Sequence, residues 1–552
     1  MPRKSSAKQV GNVTAARDVI LGDQINNADL SRVETLLAEA VALLRQPQST
    51  ITVGQNTGVI IVGDGNEVRL TPADLSALHT LGRGDNPRRR EELYLTRFII
   101  DESYARWERD YVPLAGNLLK APLRFTDPTD PGIGAAGTPL KDVREALKEL
   151  NKPRLVILGE PGAGKTTTLQ RFARDLALER LREPIKGKLP IFVNLANFGA
   201  GYALPADFLR AQWETTGLGL AYGETVAAGQ ACFLLDGVNQ MPADDRPQRI
   251  EAWRRWALSD NDLPPGNLAL FTCRVADYVP ALNLPEVRVQ TLDNDRIRRY
   301  FEIRFGGERA PALWREFETR LRSGDQRFEQ LARNPFMLSL LAERIGEGKS
   351  LADSKGALLD YVADRRRKYE LEEAASQPPA LTADPRGAGL AAMEALGRMA
   401  FAIPAKRGEG TVFARAELER VPLGDAGHLR LSLDEVLGLA VKSTLLDEQG
   451  QGDAARYEFR HQLLQEYFAA RELLRRFRKG ERLGQHWNVE WQKLDPRFWR
   501  GRLARGERLA PPPTTGWEET VTMAAGLAAP SSEDAPRFVA AIQKGWVRPE
   551  AE

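Results

Sequence analysis

The sequence predicts a multidomain α/β protein built around a parallel sheet. Four short apolar runs recur along the chain with helical patterns between them, as expected of parallel strands covered by helices on both faces. The 552 residues correspond to three or four domains at about 150 residues each. The four runs are RLVIL (Arg154 to Leu158), LPIFVNL (Leu189 to Leu195), ACFLLD (Ala231 to Asp236) and NLALFTC (Asn267 to Cys273).

The composition is that of an ordinary globular chain and excludes several classes of site. Lys and Arg number 77 against 75 Asp and Glu, a net charge of +2, which argues against a protein built chiefly to coat nucleic acid. Two cysteines and four histidines are too few for a disulfide scaffold or a zinc ribbon. No apolar run approaches about 18 residues, and none follows the basic N-terminus. We therefore predict a cytoplasmic protein that does not enter a membrane.

Residues 1–90 are predicted to form a small α/β accessory module. Two similar stretches, GNVTAARDVILGDQI from Gly11 and NTGVIIVGDGNEVRL from Asn56, each place β-branched residues near period two before a Gly-Asp turn. Between them, Leu30 to Gln46 has apolar residues at helical spacing. A self-association element built from stacked repeats remains the alternative for this module.

Helical patterns dominate on both sides of the predicted sheet. Residues 91–150 are predicted to be a helical linker, interrupted by a Pro/Gly/Thr-rich loop (Thr126 to Pro139) before the helix KDVREALKEL. After about Pro280 the strand signals fade, and amphipathic helices continue as far as Leu474. The exception is a predicted hairpin of STLLDEQ (Ser443 to Gln449) and RYEFRH (Arg456 to His461).

A phosphate-binding motif follows the first apolar run. The segment GEPGAGKT matches G-x-x-x-x-G-K-[ST], the P-loop, and it opens a helical pattern. The glycines let backbone N–H groups turn toward phosphate oxygens, Lys165 reaches the β and γ phosphates, and the Thr166 hydroxyl ligates Mg²⁺. The predicted nucleotide-binding residues here are Gly159, Gly162, Ala163, Gly164, Lys165, Thr166 and Thr167.

Two further residues are predicted to complete this site from neighbouring strands. A Mg²⁺–phosphate site needs an anionic ligand, and Asp236 stands at the carboxyl end of its apolar run, where ligands bind in open α/β sheets. Arg274 ends the next run and could contact a terminal phosphate. Lys165, Asp236 and Arg274 are thus the candidate catalytic residues, and Thr166 with Asp236 the candidate metal ligands.

Taken in order, six segments resemble the NACHT family within the STAND class of signalling P-loop NTPases, nearest its bacterial NLR-like members of the antiviral-defence type. The resemblance spans about residues 100 to 475. The segments are GEPGAGKTTTL (Gly159 to Leu169), PIFVNL (Pro190 to Leu195), LLDGVNQMP (Leu234 to Pro242), FTCRVADY (Phe271 to Tyr278), LARNPFMLSLL (Leu331 to Leu341) and FRHQLLQEYFAARELL (Phe459 to Leu474).

The resemblance implies a P-loop core (151–280), a small helical domain (281–350) and a winged-helix domain (351–478) that closes over the nucleotide. It places Pro335 near the adenine and His461 at the phosphates in the closed ADP state, and it gives Arg274 the sensor-1 position. Residues 479–552 are expected to be a short helical region that begins a sensor-like repeat array and is either specialised or truncated.

One departure from the family pattern bears on hydrolysis. The acidic pair that usually follows the Mg²⁺ aspartate is replaced by Asn239 and Gln240. Amides can orient water but cannot accept a proton from it. We therefore expect nucleotide binding with slow hydrolysis at most.

The leading hypothesis is a switch that binds ADP when closed and ATP with Mg²⁺ when open, and that forms a homo-oligomer when active. Its trigger, for example a phage component, and its effector are not identified by the sequence. One alternative is a nucleotide-responsive winged-helix regulator that binds DNA through RRRK (Arg365 to Lys368) and RELLRRFRK (Arg471 to Lys479). The neutral overall charge disfavours it. A scaffold that holds ATP without hydrolysing it is compatible with the switch.

Overall fold

The architecture is that of a computed structural model of the chain. The structure describes residues 27–46, 50–54, 58–63, 66–71, 87–101, 104, 111–120, 137–150, 153–199, 201–241, 246–275, 278, 282–351, 354–367, 384–405, 412–423, 431–443, 445–449, 455–459, 461–481, 517–528 and 533–546. The first repeat from Gly11, most of the loop from Thr126 and residues 482–516 lie outside these residues.

The N-terminal module is one helix against a three-stranded antiparallel sheet. Its apolar face includes Leu37, Val41 and Leu44 on the helix and Ile61 on the central strand, all buried. The helix is longer than the pattern predicted at its N-terminal end, and the strands of the second repeat form as predicted. The elements are α1 (Asn27–Leu44), β1 (Thr50–Gly54), β2 (Gly58–Gly63) and β3 (Asn66–Leu70).

The module is tied to the next domain through the ends of two helices. The helix α3 (Lys165–Arg182) begins at the P-loop lysine and ends beside the end of α1. Arg45 Nε donates to the Leu181 carbonyl at 3.1 Å, and Arg182 Nε donates to the Leu44 carbonyl at 3.1 Å. Each helix thus has its terminal carbonyls satisfied by an arginine of the other, which suits the negative end of a helix dipole.

Seven strands of the described chain form the central sheet, in the order β5-β4-β10-β6-β9-β8-β7. The five strands from β10 to β7 are parallel, and β4 and β5 join antiparallel at one edge. Helices pack on the sheet, and β6 and β8 are buried almost throughout. The strands are β4 (Gly116–Leu119), β5 (Thr138–Leu140), β6 (Arg154–Gly159), β7 (Leu189–Asn194), β8 (Ala231–Asp236), β9 (Leu268–Arg274) and β10 (Glu286–Val289).

The four predicted strands of the central sheet are confirmed, and three other strands of this sheet were missed. The expectation of a helical linker over residues 91–150 is wrong for β4 and β5, and the expected end of strand signals near Pro280 is wrong for β10. Each missed strand has only three or four residues, too few to show a period. The predicted helix KDVREALKEL is a 3₁₀ helix over Val143–Glu149, capped by the Asp142 side chain.

Helices follow the sheet, interrupted by a second small antiparallel sheet. In that sheet β13 pairs with both β11 and β12, which confirms the predicted hairpin. We name residues 385–478 the lid. The helices are α2 (Pro87–Ile100), α4 (Pro205–Thr215), α5 (Tyr222–Ala227), α6 (Arg246–Leu258), α7 (Asn294–Leu321), α8 (Gln326–Ala332), α9 (Pro335–Gly346), α10 (Lys355–Arg366), α11 (Pro385–Ala405), α12 (Arg415–Leu418), α13 (Leu433–Lys442), α14 (Gln462–Arg478), α15 (Glu518–Ala528) and α16 (Asp534–Trp546), and the strands are β11 (Val412–Ala414), β12 (Leu446–Gln449) and β13 (Arg456–Phe459).

The lid is packed around α14. Its Leu463, Tyr467 and Phe468 are fully buried, and the helix packs against both α11 and α15. Among the helices that the structure describes, none is long and apolar enough to cross a membrane.

Candidate nucleotide site

The P-loop connects a buried strand to a helix at the centre of the sheet. β6 ends at Gly159, and α3 begins at Lys165. Gly162 and Gly164 have φ values of 76° and 88°, a left-handed conformation that residues with a Cβ rarely adopt. The two glycines let the loop curl around the N-terminus of an 18-residue helix, and such a terminus favours an anion.

Lys165 lies inside this loop with its ammonium group turned toward backbone carbonyls. Its Nζ donates to the carbonyls of Gly159 at 2.8 Å and Glu160 at 3.0 Å. The pKa of Lys165 is lowered to about 8, chiefly by burial and also by the charge of Arg274, against the opposing charge of Asp236. The loop therefore holds a partly desolvated cation, which a phosphate would stabilise.

Asp236 accepts two hydroxyl hydrogen bonds at the end of β8. Thr166 Oγ1 donates to its Oδ2 at 2.7 Å, and Thr272 Oγ1 donates to its Oδ1. Burial raises the pKa of Asp236, while the two threonines and Lys165 oppose that shift. A carboxylate and a hydroxyl are hard oxygen donors of the kind that Mg²⁺ takes beside nucleotide phosphates.

These donors fit a magnesium ion shared with a ligand and not one held by protein alone. No group of three or more His, Cys, Asp or Glu side chains that could hold a metal occurs among the described residues. Magnesium is commonly bound through one or two carboxylates, waters and substrate phosphates. Thr166 and Asp236 would hold the ion, and it would neutralise phosphate charge.

Arg274 extends from the end of β9 beside the P-loop strand, where the parallel register pairs it with Gly159. Its Nη2 donates to Glu466 Oε1 at 2.7 Å, and its backbone N–H donates to Asn239 Oδ1 at 3.3 Å. Asn239 thus supports the strand end that carries Arg274. Gln240 packs on the turn at Gly237, where a Cβ would come within 2.7 Å of the Gln240 Cδ atom.

The turn before α9 covers the glycines of the P-loop. Asn334 Nδ2 donates to the Pro161 carbonyl at 2.8 Å, and the Phe336 backbone N–H donates to the Gly162 carbonyl at 3.1 Å. A Cβ at Gly162 would lie 2.7 Å from Asn334 Oδ1 and 3.0 Å from the Phe336 Cβ. Glycine is therefore required there by space as well as by conformation.

Pro335 occupies the first position of α9, and its ring lies 3.9 Å from where a Cβ on Gly164 would stand. Leu114, in the segment before β4, lies 3.0 Å from the same point. The two apolar side chains therefore flank Gly164 at the start of α3.

His461, at the start of α14, places the lid against the turn that covers the P-loop. Its Nδ1 accepts a hydrogen bond from the Leu463 backbone N–H at 3.1 Å, so it caps α14, and its ring stacks on Phe336 with centroids 3.9 Å apart and planes 9° apart. The pKa of His461 is lowered to about 4, chiefly by burial and also by the nearby charges of Arg274 and Lys165. The imidazole is therefore neutral and faces the cationic part of the pocket.

The structure brings the predicted residues together around the start of α3. Thr167 lies half-buried in the first turn of that helix, and Ala163 is buried in the loop. Sequence reasoning missed Thr272 and Glu466. A threonine within an apolar strand was the signal for Thr272, whereas Glu466 gave no signal because an acidic residue in an amphipathic helix is usually solvated. Asp244 and Asp245, which follow Gln240, lie outside the described residues.

The family comparison covers the sheet side of this site. Residues 154–308 match the family model of the NACHT domain. The NACHT segment begins with β6 and includes the P-loop, Asp236 and Arg274, but not Pro335 or His461. The resemblance inferred from the motifs is confirmed for this segment, and a NACHT domain implies nucleotide binding, usually with Mg²⁺.

Solved structures give only distant likenesses to the chain. A signal transduction ATPase with numerous domains (STAND) with a tetratricopeptide repeat sensor, from Pyrococcus horikoshii, aligns at 11% identity over 74% of this chain and 58% of its own, with a TM-score of 0.27. The structure of Drosophila ORC bound to DNA aligns at 11% identity over 58% of this chain and 82% of its own, with a TM-score of 0.25. The Aeropyrum pernix ORC2 protein, in ADPNP–ADP complexes, aligns at 13% identity over 59% of this chain and 90% of its own, with a TM-score of 0.25. No curated protein sequence matches the chain.

Proposed function

We propose that the protein is a nucleotide-gated switch in which the lid closes over ADP at the P-loop and ATP with Mg²⁺ favours an open state. The observation that carries the proposal is the stack of His461 on Phe336, because it places the start of α14 against the turn that covers Gly162. A nucleotide held there contacts both halves of the molecule. Lid position and nucleotide state must then depend on each other.

Within this proposal each site residue has a role. The P-loop backbone and Lys165 hold the phosphates, and Thr166 and Asp236 hold Mg²⁺. Pro335 contacts the base, and His461 reaches the terminal phosphate of the diphosphate from the lid, which is part of the proposed winged-helix domain (351–478). Arg274 contacts the additional phosphate of ATP.

Slow hydrolysis follows from the positions of the two amides. Asn239 accepts a hydrogen bond from the Arg274 backbone, and Gln240 packs on the Gly237 turn. Neither can act as a general base. The proposed active form is a homo-oligomer assembled after the lid opens, and the resemblance to bacterial NLR-like proteins suggests defence against phage as its setting.

The ion pairs made by the basic helices argue against the DNA-binding alternative. Arg475 and Arg476 both pair with Glu472, and Arg478 pairs with Asp534. In the other stretch, Arg365 pairs with Glu343 and Glu347. These charges are largely matched within the chain. Salt-dependent, sequence-selective binding to duplex DNA would favour the alternative.

Nucleotide content tests the proposal. We expect the purified protein to carry ADP or ATP, released on denaturation and identified by chromatography, and Lys165→Ala to abolish it. Lys186→Ala is the matched control, because Lys186 follows the opposite end of α3 from the P-loop and its side chain is 83% exposed. Wild-type protein that neither carries nor binds adenine nucleotides would refute the proposal.

A further inference from the structure

Arg274 is held by a carboxylate of the lid. Its guanidinium donates to Glu466 at 2.7 Å, although the two residues are 192 positions apart in the chain. Their side chains are only 15% and 12% exposed. A charge-assisted hydrogen bond in such a shielded place is strong, and it links the end of β9 to the first turns of α14.

The guanidinium also belongs to the phosphate side of the site. Arg274 pairs in register with the first glycine of the P-loop motif, and its charge lowers the pKa of both Lys165 and His461. Arg274 therefore lies near enough to the P-loop to interact with an anion bound there. Glu466 is its anionic partner within the protein, and the terminal phosphate of a bound nucleotide would be a second.

Glu466 depends on Arg274 for its charge. Burial raises the pKa of Glu466, and Arg274 opposes that shift more than any other group. The other charged groups near it, Lys355 and Glu519, pair with each other at 3.1 Å. Its Oε2 atom is buried and has no hydrogen-bond partner among the described residues. Without Arg274 this carboxylate would be buried and poorly compensated.

We propose that Glu466 determines nucleotide specificity by competing with the terminal phosphate of a nucleoside triphosphate for Arg274. The inference rests on the proposed function. A diphosphate lacks the phosphate that would take Arg274, so the pair with Glu466 persists and the lid stays closed. A triphosphate that takes Arg274 leaves Glu466 buried without its cation, and α14 moves away from the sheet. Glu466 is a positioning residue: it acts through Arg274 and not on the nucleotide itself.

The ratio of the Kd for a non-hydrolysable ATP analogue to the Kd for ADP, both with Mg²⁺, tests this proposal. We expect Glu466→Gln to lower that ratio by about tenfold or more, because a charge-assisted hydrogen bond is removed from the ADP-bound form only. Glu466→Asp keeps the charge and should give an intermediate ratio. An unchanged ratio in folded Glu466→Gln protein would overturn the inference.

Glu458→Gln is the matched control. Glu458 also joins the lid to the sheet edge, but its partner there is the neutral side chain of Asn194, which donates Nδ2 to Oε2 at 3.1 Å. Replacing this charged acceptor by a neutral one should weaken lid closure equally with either nucleotide and leave the ratio unchanged. A ratio that falls as much in Glu458→Gln as in Glu466→Gln would overturn the proposal, since lid closure in general would then be responsible.

A double-mutant cycle shows whether the effect passes through Arg274. In the Arg274→Ala background, Glu466→Gln should leave the ratio unchanged, and an equal effect in both backgrounds would overturn the inference. Wild-type protein that binds neither nucleotide would refute the proposed function together with the inference. If Lys165→Ala abolishes nucleotide binding but Glu466→Gln leaves the ratio of the two Kd values unchanged, the inference alone is refuted.

Discussion

Replacing His461 tests the contact between the lid and the P-loop domain. The imidazole makes two separable contacts: Nδ1 accepts the Leu463 backbone N–H at 3.1 Å, and the ring stacks on Phe336 at a centroid distance of 3.9 Å. Loss of an N-cap costs about 1 kcal/mol, and loss of an aromatic pair also costs about 1 kcal/mol. We expect His461→Ala to lower the free energy of unfolding by about 2 kcal/mol.

Two further variants separate the contributions. His461→Asn keeps a capping oxygen and removes the ring, whereas His461→Phe keeps an aromatic ring and removes the cap. Each should cost about 1 kcal/mol in urea titrations of nucleotide-free protein. If all three variants lie within experimental error of the wild type, the lid does not rest on Phe336 in solution.

The pH dependence gives an independent check of the same contact. Because the folded protein lowers the pKa of His461 to about 4 from an ordinary value of 6.5, the unfolded chain takes up the proton first. The stability contributed by the neutral imidazole is therefore complete above pH 6.5 and is lost as the pH falls toward 4. Near pH 5 the loss is about 2 kcal/mol, at 1.36 kcal/mol per pH unit.

This loss exceeds the advantage that the ring gives at neutral pH. Wild-type protein should therefore be more stable than His461→Asn at pH 7 and no more stable near pH 5. Comparison of the two proteins removes the contributions of other titrating groups, such as Asp236, that both share. A difference that is constant between these pH values would show that His461 is not buried as described.

Three further predictions concern other parts of the structure. Since the pKa of Lys165 is lowered to about 8, the ammonium group is charged below that pH and neutral above it. The affinity for ADP should therefore fall about tenfold as the pH is raised to about 9. An affinity that does not change with pH would contradict a buried lysine at the phosphates. Arg182→Ala removes two hydrogen bonds at the C-terminal end of α1, to the carbonyls of Leu44 at 3.1 Å and Gln46 at 3.3 Å. This variant should speed limited proteolysis between the N-terminal module and the sheet, whereas the control Lys186→Ala should not. Equal proteolysis rates would mean that Arg182 does not anchor the module. The double variant Asn239→Asp and Gln240→Glu should raise ATP turnover measured by phosphate release, and an unchanged rate would show that these amides do not limit hydrolysis.

The sequence was sufficient to predict the parts of the fold that have long-range regularity. The four apolar runs and the hairpin were found because a buried strand is continuously apolar and a hairpin alternates around a turn. The strands β4, β5 and β10 were missed because each is short and depends on its neighbours for its partners. For example, β10 holds Glu286, a buried carboxylate that no hydrophobic pattern would place inside a sheet.

For the candidate site, sequence reasoning was most effective where a motif carries its own chemistry. The P-loop residues and Asp236 follow from what phosphate and Mg²⁺ require, and the structure brings them together. The contact of Glu466 with Arg274 could not be predicted, because the two residues meet only through the packing of α14 on the sheet. Distances between residues so far apart in the chain depend on the whole tertiary structure.

Hydrogen exchange across the first turns of α14, residues 461–474, tests the central claim most directly, because it reports on lid closure under each nucleotide. With Mg²⁺ and ADP we expect slow exchange in this segment, and with a non-hydrolysable ATP analogue faster exchange by about tenfold or more. Exchange at the same rate with both nucleotides, in protein shown to bind both, would contradict the account of the lid as a nucleotide-gated switch.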